Sequence, residues 1–264
     1  MVADLIENAL NRYAPISLDE MDCVRLMDRI DTKYIFSAAC LNDLLNIVPS
    51  NYKVFKINGQ YNLPYKTIYL DTHDHLFYQQ QMRGKLNIHK VRFRVYESTD
   101  TSFLEIKFKS NKSRTIKLRI NCDLVDYCIN NEAFDFISKN VDCDAYSLKP
   151  AMISRFDRIT LVRLETKERI TIDSNISFSS IDETQKVSLP FLAIVESKHD
   201  DYSNRSSFVR SLKNLHLQPM GFSKYCVGSA MLYNLPRQNI LKSKFYVLQK
   251  IANEYHTTNL ARSN

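Results

Sequence analysis

Cations recur at every second residue in several strand-like stretches of this chain, and that spacing limits its fold more than any other feature. In residues 90–96, KVRFRVY, strand alternation puts Lys90, Arg92, Arg94 and Tyr96 on one face and Val91, Phe93 and Val95 on the other. Successive cations then lie about 7 Å apart, where two unit charges repel by roughly 2 kcal/mol at an effective dielectric of about 20. The pattern returns in LEIKFK, where Glu105, Lys107 and Lys109 oppose Leu104, Ile106 and Phe108. It appears again in TIKLRI (Lys117, Arg119), RITID (Arg169, Thr171, Asp173), LAIVESK (Glu196, Lys198) and RIDTKYIF (Arg29, Asp31, Lys33). A single strand of this kind is an ordinary solvated face. Six of them, poor in Thr and Gln, suggest that the charged faces turn inward and line a tunnel with about ten cations and three carboxylates. Unpaired buried ions cost several kcal/mol each, so such a tunnel needs an anionic occupant.

The rest of the chain fits one domain built around those strands. Helical spacing is expected over 3–12 and 17–28, the latter with Ser17 and Glu20 as a capping box, and over 37–49 before Pro49. From residue 52 onward, strand signatures cover 52–57, 65–71, 88–97, 102–109, 114–124, 151–164, 168–174 and 190–198. Short helices are expected at 73–82, 130–140, 204–216 and 223–234. The expected fold is therefore α+β, an antiparallel β-barrel tunnel of about eight strands with peripheral helices. Residues 1–236 form that single domain, and 237–264 form a basic tail or helix.

Composition narrows the partner. The chain has 264 residues and a formal net charge of +7, which favours an anion. Its four glycines cannot make a G-x-G-x-x-G or G-x-x-x-x-G-K-[ST] loop, so phosphates would be held by side chains. A duplex reader would display its basic side chains on one exposed helix or patch, so nucleic acid is not the expected partner. No apolar run reaches the ~18 residues of a membrane span, no leader pattern opens the chain, and the six scattered cysteines suit reduced structural thiols. A cytoplasmic or cytosol-facing location is expected. The carboxylates Glu105, Asp173 and Glu196 are hard oxygen ligands of the kind that holds Mg²⁺ or Mn²⁺ together with substrate phosphates.

Taken in order, RIDTKYIF, KVRFRVY, FLEIKFK, SRFDR, RITID, IVESK and GFSKY resemble the VTC (vacuolar transporter chaperone) domain. This is the polyphosphate polymerase branch of the triphosphate tunnel metalloenzymes, related to the CYTH proteins, and the resemblance runs from about 25 to 232. It implies transfer of the γ-phosphoryl group of a nucleoside triphosphate to a growing polyphosphate chain, with Mn²⁺ or Mg²⁺. On this resemblance Lys33, Arg92, Arg94, Lys107, Arg155 and Lys224 look like the catalytic cations, and Glu196 looks like the metal carboxylate. Lys109, Lys117, Arg119, Arg169, Lys198 and Ser223 complete the expected phosphate-binding set. Ser223 and Lys224 would start a helix, whose free N–H groups favour anions.

Some positions differ from the family pattern. The CYTH opening E-x-E-x-K reads Arg29, Asp31 and Lys33 here, which favours the VTC branch. Eukaryotic polymerases carry a lysine before F-S-K and a tyrosine two residues before the R-x arginine, where this chain has Gly221 and Ile153. Eukaryotic versions are also fused to an SPX domain and a membrane segment, so a stand-alone domain of bacterial type is expected. The alternatives on the same tunnel are a tripolyphosphatase or nucleoside triphosphatase, and a non-catalytic polyphosphate- or nucleotide-binding module serving a membrane partner from another chain.

Overall fold

The computed structural model describes residues 2–22, 30–110, 115–123, 129–199 and 206–263. The expected Arg29, Cys23 and Cys128, and the second half of the 17–28 helix, lie outside the described residues. The chain begins with α1 (Val2–Leu10), β1 (Ala14–Ile16), α2 (Leu18–Asp22), β2 (Ile30–Ser37), α3 (Leu41–Ile47) and β3 (Lys53–Phe55). It continues through β4 (Leu63–Asp71), α4 (Leu76–Met82), β5 (Ile88–Tyr96), β6 (Thr101–Lys109), β7 (Thr115–Asn121) and α5 (Asn131–Asn140). Then come β8 (Lys149–Arg163), β9 (Glu168–Ser179), β10 (Lys186–Leu189), β11 (Leu192–His199), α6 (Ser207–Asn214), α7 (Lys224–Leu232) and α8 (Lys242–Ser263). The capping box at the start of α2 is present: the Ser17 N–H donates to Glu20 Oε2 at 2.9 Å and the Glu20 N–H donates to Ser17 Oγ at 3.3 Å.

The main path of the sheet runs β2-β11-β9-β8-β4-β5-β6-β7, antiparallel at every step. β3 and β10 attach to β8 and β9, and β1 joins β3 in parallel. Closure differs from the expected barrel, because β2 and β7 do not pair among the described residues. The sheet nevertheless curls on itself: Lys107 on β6 senses Glu196 and Lys198 on β11, and Lys90 on β5 senses Lys33 on β2.

Alternation decides which face meets which layer. On β5, Val91 and Phe93 are buried against Ala133 and Ile137 of α5. On β9, Ile170 and Ile172 pack with Leu41 and Leu44 of α3 and with Phe208 and Leu212 of α6. Each such fully buried side chain stabilises the fold by roughly 1.5–3 kcal/mol. The opposite faces of these strands are left to the charged residues. At Asn175, whose φ is +50°, the β8–β9 register slips between Arg155 and Asp157. This bulge reverses the phase of β9, so Ile176 and Phe178 join the core beneath Tyr225, Cys226 and Val227 of α7. Gly228 permits the close approach of α7, since a Cβ there would stand 2.6 Å from Met152 Sδ and 2.7 Å from the Phe178 ring. Leu241, Leu248 and Ile251 enter the same core, so the segment after 237 packs on the strands rather than trailing from them.

Candidate phosphate-binding cleft

The inward faces surround a cleft of ≈ 280 Å³. Strand β5 supplies Lys90, Arg92 and Arg94; β2, β6 and β7 supply Lys33, Lys107 and Lys117. β8, β9 and β11 add Arg158, Arg169 and Lys198, and the first residue of α7 adds Lys224. Against these ten cations stand three carboxylates, Glu105, Asp173 and Glu196. Among the described residues the lining carries a formal excess of seven positive charges.

Strand register places each carboxylate directly opposite a cation. Glu196 faces Lys33, with Nζ to Oε1 at 3.0 Å, and also accepts from Lys198 Nζ at 2.6 Å. Glu105 faces Arg92 and accepts from its Nε at 2.9 Å and its Nη2 at 2.6 Å, with Lys117 on its other oxygen. Asp173 faces Arg158 in a bidentate pair of 2.6 and 2.8 Å, and Lys224 donates to Oδ2. Burial alone would raise all three carboxyl groups. Arg158 and Lys224 outweigh it and hold Asp173 down at about 2. Arg92, Arg94 and Lys117 hold Glu105 well below the usual range, and Lys198, Lys33 and Lys107 do the same for Glu196.

The cations carry a complementary penalty. Burial lowers Lys117 and Lys224 to about 8 and pushes Lys90 down as well. Lys107 is driven well down by Arg92 and then by burial, and it makes no ion pair among the described residues. Arg94 is 5% exposed, and its Nε has no hydrogen-bond partner. Its guanidinium lies 5.5 Å from the ring centroids of Tyr65 and Phe156. These two cations are the ones that most need an anion from outside the chain.

The helix start is fixed from both sides. Ser223 caps α7 by accepting from the Cys226 N–H at 3.3 Å, and Lys90 Nζ reaches Ser223 Oγ at 3.5 Å. Next to Lys224, Tyr225 donates to Asp71, whose carboxylate also accepts from the Phe77 and Tyr78 N–H groups of α4. Asp71 thereby ties α7 to α4.

Of the residues expected from sequence, Lys33, Arg92, Arg94, Lys107, Lys117, Arg169, Lys198, Ser223 and Lys224 line the cleft together with the three carboxylates. Arg155 does not. It lies on the opposite face of β8, donates to Ser179 Oγ at 3.3 Å and pairs with Glu183. Lys109, at the end of β6, is exposed outside the lining, although its charge still depresses Lys90. Arg119 lies over the Phe103 ring at 4.6 Å, also outside the lining. Arg158 takes the place expected of Arg155, and the signal for it was available: Ile159 and Leu161 set the apolar face of β8, which leaves Arg158 and Thr160 on the other.

The carboxylates do not come together as a metal cage, for no group of three or more His, Cys, Asp or Glu among the described residues could hold an ion. Both oxygens of Asp173 and of Glu105 meet cations, whereas Lys33 and Lys198 both meet Oε1 of Glu196. Glu196 therefore fits best a divalent ion held by one carboxylate and by phosphate oxygens.

An antiparallel sheet curled around a cation-lined cleft, with α3, α5 and α6 on its outer face and α7 starting at the cleft, defines the triphosphate-tunnel class of fold. The VTC domain profile matches residues 28–233, and this chain belongs to that family. Among solved structures, the Hippeastrum protein HpAC1 superposes with a TM-score of 0.50 at 13% identity, covering 80% of this chain and 99% of its own. A candidate adenylate cyclase from Bacillus halodurans gives 0.48 at 12% identity over 74% and 94% of the two chains. Protein PH1819 of Pyrococcus horikoshii gives 0.44 at 11% over 76% and 96%. These likenesses concern the fold. No curated protein matches the chain.

Proposed function

We propose that the cleft binds the triphosphate of a nucleoside triphosphate and transfers its γ-phosphoryl group to the terminal oxygen of a polyphosphate chain. The observation that carries this reading is the uncompensated charge: among the described residues lining the cleft, seven positive charges remain after the three carboxylates are counted. In the transfer, a terminal phosphate oxygen of the acceptor forms a bond to the γ-phosphorus, the bond to the β,γ-bridging oxygen breaks, and a nucleoside diphosphate leaves. Charge moves onto the bridging oxygen, and cations fixed before the reaction stabilise it without reorganising. Arg92, Arg94, Lys107 and Lys224 are held for that role by the strands and by α7. Arg158 is oriented by bidentate Asp173 and Arg92 by two bonds to Glu105 Oε2, which leaves Arg94 and Lys107, without ion pairs among the described residues, to meet phosphate oxygens. Mn²⁺ or Mg²⁺, held by Glu196, would neutralise further phosphate charge.

Family membership and the cleft chemistry support this reading, and a hydrolase is the second one, since the description of HpAC1 reports a dominant triphosphatase activity. Incubation with ATP and Mn²⁺ separates them. Lengthening polyphosphate with equimolar ADP is the expected result, abolished in Arg94→Ala and Lys107→Ala. Orthophosphate release without chain growth would select the hydrolase, and binding of tripolyphosphate without turnover would select a binding module.

A further inference from the structure

A second cavity, ≈ 530 Å³, adjoins the cleft and shares Lys33, Lys90, Phe222 and Ser223 with it. Its size falls in the ~300–1,000 Å³ range of small-molecule sites. Its walls differ in chemistry from the cleft. Met82, Met220, Phe222 and Leu241 give it an apolar surface that offers nothing to phosphate oxygens. Asp31 also lines it; its Oδ2 is paired with Lys198 Nζ at 3.2 Å, and the carboxylate can still accept hydrogen bonds from sugar hydroxyls. The Gln81 amide lines it as well, and its buried Oε1 has no hydrogen-bond partner. At the far side Lys244 donates from Nζ to the Gly221 carbonyl at 2.8 Å, tying α8 to the loop before α7. Leu241 and Lys244 lie beyond residue 233, where the family match ends, so this wall is contributed by the chain's own C-terminal segment.

We propose that this chamber holds the nucleoside of the substrate while the phosphates pass between Lys33 and Lys90 into the cleft. The assignment rests on the reading of the cleft as a triphosphate site. A ligand that spans both spaces must have a phosphate chain at one end and, at the other, a partly apolar group with hydroxyls and hydrogen-bond donors. A nucleoside has that character, and a phosphate chain does not.

The test compares ATP with inorganic tripolyphosphate by calorimetry on the full chain, wild type against Met220→Trp, which fills the chamber, and Lys244→Met, which releases its wall. The wild type is expected to bind ATP more tightly than its phosphates alone require. Met220→Trp should weaken ATP at least about tenfold while tripolyphosphate stays within about twofold. Equal losses for both ligands in a variant that melts like the wild type would overturn the assignment, as would no loss for either. Should Met220→Trp melt early, the same comparison in Lys244→Met decides. A wild type that binds neither ligand would sink the triphosphate reading, and the chamber assignment with it. Selective loss of ATP binding in a protein that makes no polyphosphate would leave the chamber standing and remove only the transfer reaction.

Discussion

Asp173→Asn should move stability and anion binding in opposite directions. Asp173 is 4% exposed, bound bidentately by Arg158 and contacted by Lys224. Its carboxyl group is held at about 2 against an ordinary 3.8, equivalent to about 2–3 kcal/mol of preference for the charged form. Removing one partner of a buried pair costs about 3–5 kcal/mol, and the new amide carbonyl recovers part of that by accepting one bond. We expect a net destabilisation of about 2–4 kcal/mol, or roughly 5–15 °C in melting temperature for a chain of this size.

In the same variant the cleft gains a positive charge. A phosphate seated about 8 Å away is then favoured by up to about 2 kcal/mol at a dielectric of about 20, so tripolyphosphate should bind up to about thirtyfold more tightly at low salt. Thermal melts with and without tripolyphosphate, paired with calorimetric affinities, read both effects. Acid melts supply the sign: the carboxylate's pKa is depressed in the fold, so its contribution is present above about 4 and is lost as pH falls towards about 2. The Asp173→Asn substitution should flatten that part of the acid profile. A variant that melts like the wild type would refute the counter-ion role, and one that folds but binds tripolyphosphate less well would make Asp173 part of the ligand site itself.

Lys107→Met should raise the melting temperature of the anion-free protein, because it removes a half-buried cation crowded by Arg92, and should weaken tripolyphosphate binding about tenfold or more. Lys117 and Lys224, held at about 8, bind fewer protons folded than unfolded between about pH 8 and 10, so their contribution to stability should rise with pH there while anion affinity falls. Melts and calorimetry across that range check both slopes. Gly228→Ala should destabilise the fold by about 1–3 kcal/mol through overpacking against Met152 and Phe178, measurable by urea unfolding.

How far the strands could be read depended on whether both of their faces were distinct. On β5 one face is charged and the other apolar, so KVRFRVY alone placed Arg92 and Arg94 in the cleft and Val91 and Phe93 beneath α5. On β8, alternation around Ile159 and Leu161 puts Arg158 on the charged face, whereas the motif resemblance points to Arg155, which the structure leaves outside the cleft lining. β9 reads correctly up to Asp173 and then changes phase at Asn175, where a left-handed residue allows an extra position that no period-2 rule contains. The lack of β2–β7 pairing among the described residues, and the packing of α8 against the chamber, depend on contacts between residues far apart in sequence. Alternation carries no information about those.

The placement of charge also bears on what can enter. Among the described residues, the cleft of ≈ 280 Å³ gathers a formal excess of seven positive charges. A field gathered in a low-dielectric cleft draws small anions inward. Within the cleft, three carboxylates orient some cations by direct pairing, while Arg94 and Lys107 are left short of partners. The first group keeps its geometry with or without an occupant. The second is what an occupant stabilises, so the repulsion along KVRFRVY is relieved most fully by a chain of closely spaced negative charges narrow enough to lie between the strands.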